Sequence, residues 1–263
     1  MRTGDGRQRS CTIGCTPATV QRLLDHHEGT LARRSAPGGV ALWESPTEEF
    51  LAAVYDAVSR HLVELLAGFG RAALAIGDPL LTLLPIETAH DDLGPALFEL
   101  MQIHRLVGSP RWRPRRDATR RSFTLRLERG DDEGLIATAL ERLLVVAAHR
   151  SNGGPAHHPS ERLVHLAGHD PRLSHVAFDR REAAHVVLSG CSSIPSSLIP
   201  GVASATCTLW PVDDWSGSAV MAALHARIAA GIGPAEALRQ AQLLHRSLSP
   251  SGWASYVHVG VPD

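Results

Sequence analysis

The sequence contains no lysine, so all 26 of its basic side chains belong to arginine. Because the chain is also rich in alanine, glycine and proline, this bias is more typical of GC-rich coding than of a functional choice. The 26 basic residues are balanced by 27 acidic ones, which leaves a formal net charge of −1. A chain so close to neutral has no overall electrostatic attraction to nucleic acids or membrane surfaces.

Long apolar runs and cysteines are also scarce. No stretch reaches the roughly 18 apolar residues that a membrane helix needs, and residues 1–10 are polar and lead into no apolar signal-peptide core. The four cysteines, Cys11, Cys15, Cys191 and Cys207, are too few for a disulfide framework in 263 residues. These absences predict a cytoplasmic protein without a membrane segment, in which a functional cysteine acts as a thiol.

Hydrophobic residues make up 44% of the chain, which excludes wholesale disorder and allows a real core. Their spacing predicts an N-terminal helical and linker segment over residues 1–45, followed by one α/β domain over residues 46–263. Helices are predicted at residues 16–34, 47–66, 94–107, 135–148, 217–230 and 234–246, and strands at 72–76, 123–127, 163–167, 186–189, 205–209 and 253–259. Short buried strands that alternate with helices predict a mostly parallel sheet with helices on both faces.

Reactive side chains follow two of the predicted strands. His169 comes just after the strand at 163–167, and Cys191 comes just after the strand at 186–189. If these strands are neighbours, both side chains lie at the sheet edge where α/β proteins bind ligands. A thiol beside an imidazole is the minimum for nucleophilic catalysis, because the imidazole favours the thiolate and can protonate a leaving amine. Taken alone, Cys191 would be interpreted as a buried core cysteine; its position after a strand, the paired His169 and the motifs that follow together favour a catalytic role.

Several motifs occur in an order that matches one known family. The segment from His165 to His169 fits the strand pattern H-x-x-x-H-G, and Leu188-Ser189-Gly190-Cys191 fits an apolar strand ending in L-S-A-C. Matching segments follow at residues 209–214 (LWPVDD), 231–242 (G-x-x-x-A-E-A-L-R-x-A-Q) and 253–256 (WASY), and one precedes them at residues 84–87 (LPIE). With these motifs the chain resembles the CHAT family of bacterial caspase-like cysteine peptidases, which are related to caspases, gingipains and separases.

The resemblance implies a caspase-like three-layer α/β sandwich with a Cys–His dyad. Cys191 would be the nucleophile and His169 the general acid and base, and the backbone N–H groups of Cys191 and Asp170 would form the oxyanion hole. The resemblance further implies a protein or peptide substrate, no cofactor, and a separate sensor or regulatory protein of a bacterial defence or signalling system.

Departures from the family motifs keep a second hypothesis open. Asp170 and Ile194 stand where the family has glycines, and only 19 positions separate Cys191 from Trp210, a shorter interval than is typical. Asp170 keeps its N–H group, but its backbone adopts fewer conformations than that of glycine. A catalytically inactive caspase-like scaffold that binds partner proteins is therefore the alternative to a peptidase.

Two acidic residues, Asp213 and Asp214, have two interpretations. They would cap the helix predicted after them, or one of them would line the pocket for the substrate residue before the scissile bond, as similar positions do in separase-like enzymes. Arginine suits such a carboxylate, so the second interpretation predicts cleavage after basic residues.

The remaining polar clusters are given structural interpretations. His165 lies four residues before His169, a spacing that suggests a metal pair only on a helix; the strand pattern here makes His165 a packed or supporting residue. Nucleic acid is not expected as a partner, and a metal-binding regulatory protein is a remote third hypothesis. The other interpretations are a solvated loop for the arginine-rich residues 111–121, a surface position for His157-His158, a core position for Cys207, and no zinc site at Cys11 and Cys15.

Overall fold

A computed structural model describes residues 15–34, 45–76, 80–91, 94–106, 121–127, 161–167, 183–189, 204–212, 214–248 and 250–260. The chain divides into two compact units, one of residues 1–72 and 78–103 and the other of residues 73–77 and 104–263. Among the helices in these described ranges, none is both long and apolar enough to cross a membrane.

The first unit is helical. Helix α1 spans Pro17–Arg34, and α2 (Ser45–Val54) continues through a π-helical turn at Tyr55–Ser59 into α3 (Arg60–Leu66). The helices predicted at 16–34 and 47–66 are therefore confirmed. Helix α1 packs against α2, where the rings of His27 and Phe50 stack with centroids 4.1 Å apart.

The π-helical turn is packed against the chain that follows it. Ser59 Oγ donates a hydrogen bond of 2.8 Å to the carbonyl of Ile86, and the Arg60 guanidinium lies 5.6 Å from the centre of the Tyr55 ring. Gly94 lies so close to Tyr55 that a Cβ atom at this position would overlap the phenol hydroxyl. Only glycine fits there without a shift of the buried tyrosine. The unit also contains a short 3₁₀ turn at Leu81–Leu83 and helix α4 at Leu97–Leu100.

The second unit contains most of a seven-stranded sheet with the order β1-β2-β7-β6-β5-β4-β3. Strands β3 to β6 pair in parallel in chain order, whereas β7 pairs antiparallel with β6 and parallel with β2. The strands are β1 (Arg71–Ala75), β2 (Gln102–Leu106), β3 (Arg121–Leu127), β4 (Glu161–Ala167), β5 (Ala183–Leu188), β6 (Ser204–Thr208) and β7 (Tyr256–Gly260), of which β1 and β2 enter this unit with residues 73–75 and 104–106. The predicted α/β class with a mostly parallel sheet is confirmed, and it is consistent with a caspase-like sandwich.

Three helices accompany the sheet in the described part of this unit. They are α5 (Asp214–Ala229), α6 (Pro234–Leu244) and α7 (Pro250–Trp253). Gly231 follows the end of α5 and has a φ of 91°. This is the left-handed conformation that commonly ends a helix. The helices predicted at 217–230 and 234–246 are confirmed, whereas the helix predicted at 135–148 lies outside the described residues.

One predicted helix is wrong, and one predicted strand begins three residues later than expected. Residues 94–107 do not form one helix, because α4 ends at Leu100 and the extended Met101 (φ −157°, ψ 163°) leads into β2. The polar side chains Gln102, His104 and Arg105 give β2 the pattern of a helix with a solvent face, but all three are buried. Trp253 does not begin a strand either; it ends α7, and β7 begins only at Tyr256.

Candidate active site

Strands β4 and β5 lead directly into the two residues of the predicted dyad. They are parallel neighbours, and their last paired residues are Leu166 and Leu188. Strand β4 ends two residues before His169, and β5 ends three residues before Cys191. The condition on which the dyad depended, that the two strands lie side by side, is met. His169, Cys191 and the predicted oxyanion residue Asp170 themselves lie outside the described residues.

Strand β6 precedes the acidic pair in the sequence and ends at the same edge of the sheet as β5. It is the parallel neighbour of β5 and ends at Thr208. Helix α5 begins at Asp214, three residues before the predicted start at residue 217. Asp213 is outside the described residues, so the choice between helix capping and substrate binding stays a prediction.

Ser255 holds the segment between β6 and α5. Its Oγ accepts hydrogen bonds from the N–H groups of Leu209 and Trp210, at 3.1 and 3.2 Å, and donates one of 3.0 Å to the carbonyl of Trp210. The Trp210 indole donates to the carbonyl of Ser251 at 3.0 Å. The first part of the LWPVDD motif and the WASY motif are therefore explained by their contacts with each other.

A hydrogen-bonded row of three side chains lies beneath the strand ends. His165, on β4, is fully buried, and its Nε2 is 2.9 Å from Ser189 Oγ, one residue beyond β5. On its other side, His165 Nδ1 is 2.9 Å from Nε2 of His225 on α5. The interpretation of His165 as a packed residue is confirmed, but the sequence analysis missed Ser189 and His225. The available signal was a polar residue within or directly after an apolar run, since such a residue needs a partner when it is buried.

More histidines lie along the same face of the sheet. Both ring nitrogens of His185 lie within hydrogen-bonding distance of hydroxyls on β6, Nδ1 at 2.7 Å from Ser204 Oγ and Nε2 at 3.1 Å from Thr206 Oγ1. The His258 ring stacks on His185 with centroids 5.5 Å apart and meets His104 edge-on at 5.3 Å. These rings form a line across the strands of the sheet rather than a cluster at the strand ends.

Burial keeps two of these imidazoles uncharged. It is the main cause that lowers the pKa of His185 from 6.5 to about 3, and the neighbouring His165 lowers it further, against an opposing hydrogen bond with Ser204. Burial also holds the pKa of His258 well below its usual value, with further contributions from His185 and His104. Neither residue is suited to proton transfer at neutral pH, because an effective acid or base needs a pKa near the working pH.

Metal binding gains no support from these histidines. Within the ranges that the structure describes, no group of three or more His, Cys, Asp or Glu side chains has an arrangement that could hold a metal ion. The row of three is instead joined directly from ring to ring and from ring to hydroxyl.

The two described cysteines differ in exposure. Cys207 lies in β6 and is fully buried, which confirms the prediction that it belongs to the core. Cys15 is partly exposed, and partial burial raises the pKa of its thiol. A thiol with a raised pKa has less of the reactive thiolate at neutral pH.

Comparison with known protein families assigns a family to the region of the chain that contains the sheet. The family model of the CHAT domain matches residues 71–261, more than two thirds of the chain. The matched region includes all seven strands and helices α5 to α7. A search of curated proteins found no significant match.

Proposed function

The chain belongs to the CHAT-domain family, a family related to caspase-like peptidases, and we propose that it is a cysteine endopeptidase with a Cys191–His169 dyad. The observation that carries this proposal is the pairing of β4 and β5, which are parallel neighbours and end just before His169 and Cys191. An imidazole and a thiol on adjacent strand ends have the chemistry that nucleophilic catalysis requires.

The proposed reaction is an acyl transfer through Cys191. His169 takes the thiol proton, and the thiolate forms a bond to the carbonyl carbon of the scissile peptide. The N–H groups of Cys191 and Asp170 stabilise the resulting oxyanion. When the C–N bond breaks, His169 gives its proton to the leaving amine, and it then removes a proton from the water that hydrolyses the thioester.

We further propose that the substrate is a protein and that a separate sensor protein controls its cleavage. Both points follow from the family, in which peptidases of bacterial defence and signalling systems are controlled by sensor modules. The proposed site of action is the cytoplasm, where thiols stay reduced and available for catalysis.

Selective labelling tests the proposed dyad. A peptide that ends in arginine and carries an acyloxymethyl ketone should modify Cys191 alone, because an adjacent imidazole favours its thiolate. Cys207 and Cys15 serve as internal comparisons, one fully buried and the other with a raised pKa. Peptide mass spectrometry locates the label, and Cys191→Ala is the negative control. If Cys191 is not labelled, or is labelled no faster than Cys15, the inactive scaffold becomes the better hypothesis.

Substrate preference depends in this proposal on the acidic pair. The segment with Asp213 and Asp214 follows β6, the neighbour of the strand that leads to Cys191. A desolvated carboxylate favours arginine, whose planar guanidinium forms two parallel hydrogen bonds, over lysine, which is a point charge. A neutral or acidic substrate residue would leave the carboxylate buried without a partner.

We therefore expect cleavage after basic residues, with arginine preferred to lysine and aspartate rejected. The measurement is kcat/KM on a fluorogenic panel that varies only the residue before the scissile bond, for wild type, Asp213→Ala and Asp214→Ala. One of the two variants should lose the arginine preference, while the other serves as its matched control. An unchanged preference in both variants, or a preference for aspartate, would leave the pair as helix-capping residues.

A further inference from the structure

We propose that His225, His165 and Ser189 form a positioning row that fixes the ends of β4 and β5 relative to helix α5. The consequence for catalysis rests on the proposed peptidase function, because it concerns the placement of His169 and Cys191. None of the three residues is proposed to react with substrate.

The row connects three elements that are far apart in the sequence. The bond between His165 and Ser189 spans 24 positions, and the bond between His225 and His165 spans 60. His165 is fully buried, His225 is fully buried, and Ser189 is partly buried. Two hydrogen bonds of 2.9 Å thus run without interruption from the middle of a helix, across one strand, to the end of the next.

These hydrogen bonds depend on distance and angle, which distinguishes them from the apolar packing in the same elements. Both β5 and α5 also carry fully buried apolar side chains, such as Val187 on β5 and Val220 and Leu224 on α5. Apolar contacts depend mainly on buried area and tolerate small shifts, whereas a hydrogen bond weakens steeply when its distance or angle changes. A buried polar group that loses its partner is also costly. The row therefore resists a displacement of α5 or of either strand end that apolar packing alone would permit.

Each member of the row lies close in sequence to one part of the proposed site. Ser189 precedes Cys191 by two residues, His165 precedes His169 by four, and His225 lies eleven residues after the start of α5 at Asp214. Eleven residues of helix correspond to about 16 Å, a distance over which a helix acts as a rigid rod. One row thus gives the nucleophile, the base and the acidic pair a common reference point.

The same three residues could also be interpreted as a catalytic triad, but the burial of His165 favours a positioning role. Serine, histidine and a second histidine have the order of a nucleophile, a base and the group that orients the base. The base of such a triad must reach the leaving group and the attacking water. His165 has 0% of its surface exposed, so it is placed to hold a serine in position and not to exchange protons with a substrate.

Conservative variants separate positioning from general stability. Ser189→Thr keeps the hydroxyl and Ser189→Ala removes it, while His225→Gln keeps a nitrogen near the Nε2 position and His225→Leu removes it. Val220→Ala on the same helix is the control, because it removes buried apolar atoms without touching the row. Thermal unfolding of all five variants shows how far a loss of stability alone accounts for the results.

Two readouts test the row, and one of them does not require activity. Hydrogen–deuterium exchange in peptides covering residues 161–173 and 183–195 should become faster in Ser189→Ala and His225→Leu, but not in Ser189→Thr, His225→Gln or Val220→Ala. In peptide cleavage, kcat should fall by about 10- to 100-fold in the first two variants with little change in KM, which is typical of the loss of a supporting residue.

The outcomes distinguish this inference from the proposed function. If wild-type protein cleaves no peptide but exchange changes as expected, the peptidase proposal fails and the positioning row stands. If exchange is the same in Ser189→Ala and Val220→Ala at equal loss of stability, the row has no special role, whatever the activity. Covalent modification of Ser189 by a fluorophosphonate would also overturn the inference, because it would make Ser189 a nucleophile.

Discussion

Replacement of Cys191 by alanine is expected to abolish peptide cleavage and leave the fold intact. The proposed mechanism has no other nucleophile, so the acyl intermediate does not form. His169→Ala should keep the thiol but reduce kcat/KM by about 10² to 10⁴, the usual contribution of general acid and base catalysis. The fold should persist because Val186, Val187 and Leu188, which precede the site on β5, are fully buried and do not depend on the Cys191 side chain for their burial.

The control for this experiment is the same chemical change in the neighbouring strand. Cys207→Ala removes a buried thiol from β6 and should lower stability without a comparable loss of kcat/KM. Activity is measured on the best arginine substrate. Unfolding curves for all variants confirm that each is folded under the assay conditions. Turnover that persists in Cys191→Ala would remove the chain from the cysteine peptidases.

The second large effect is a loss of stability in mild acid. In the native state the pKa of His185 is lowered to about 3, and that of His258 is also well below the ordinary value of 6.5. At a pH between the lowered native pKa and 6.5, these histidines bind a proton in the unfolded chain but not in the native protein. The free energy of unfolding therefore falls as the pH falls below about 6.5. Each such histidine contributes at most about 1.4 kcal/mol per pH unit to this slope. The two together contribute at most roughly 3 kcal/mol per pH unit.

The groups that surround these rings include further imidazoles and hydroxyls. His104 on β2 and His165 on β4 face them from the sheet, while β6 contributes a backbone hydrogen bond at Ser204 and the hydroxyls of Ser204 and Thr206. His225 on α5 lies beyond His165. The neighbouring rings therefore help to lower the pKa of His185 and of His258.

Urea unfolding between about pH 5 and pH 8 measures this effect through its slope against pH. His258→Leu removes one buried imidazole and should reduce the slope near pH 5 by about 1.4 kcal/mol per pH unit, with little change near pH 8. Val220→Ala should lower stability by a similar amount at every pH and leave the slope unchanged. A slope that is the same in His258→Leu and wild type would exclude His258 as a source of the acid sensitivity.

The strands that lead into the site could be predicted from the sequence within three residues. Strands β4 and β5 contain short, largely apolar runs at residues 163–167 and 186–188, followed by Gly168 and Ser189, and such runs carry a strong local signal. Their parallel pairing followed from the alternation of strands and helices. The proposed dyad residues were found in the same way, as reactive side chains directly after buried strands.

Features that depend on distant contacts could not be predicted. The polar residues of β2 resemble the solvent face of a helix, and only the sheet that surrounds them shows that Gln102 and Arg105 are buried. Ser189 and His225 belong to one row because of a fold that brings residues 24 and 60 positions from His165 next to it. No local spacing contains that information.

The position of β7 in the sheet has a consequence for synthesis on the ribosome. Residues 256–260 lie between β2 and β6, so the middle of the sheet is filled by its last strand. About 150 residues separate β2 from β7 along the chain, which corresponds to roughly 10 to 30 seconds of translation. Throughout that time β2 has an edge without its final partner, and β6 has one from its own synthesis onward; exposed strand edges pair readily with other chains. Nascent copies on one polysome are therefore most exposed to one another before β7 is made, which gives chaperones that shield strand edges a defined interval in which to act.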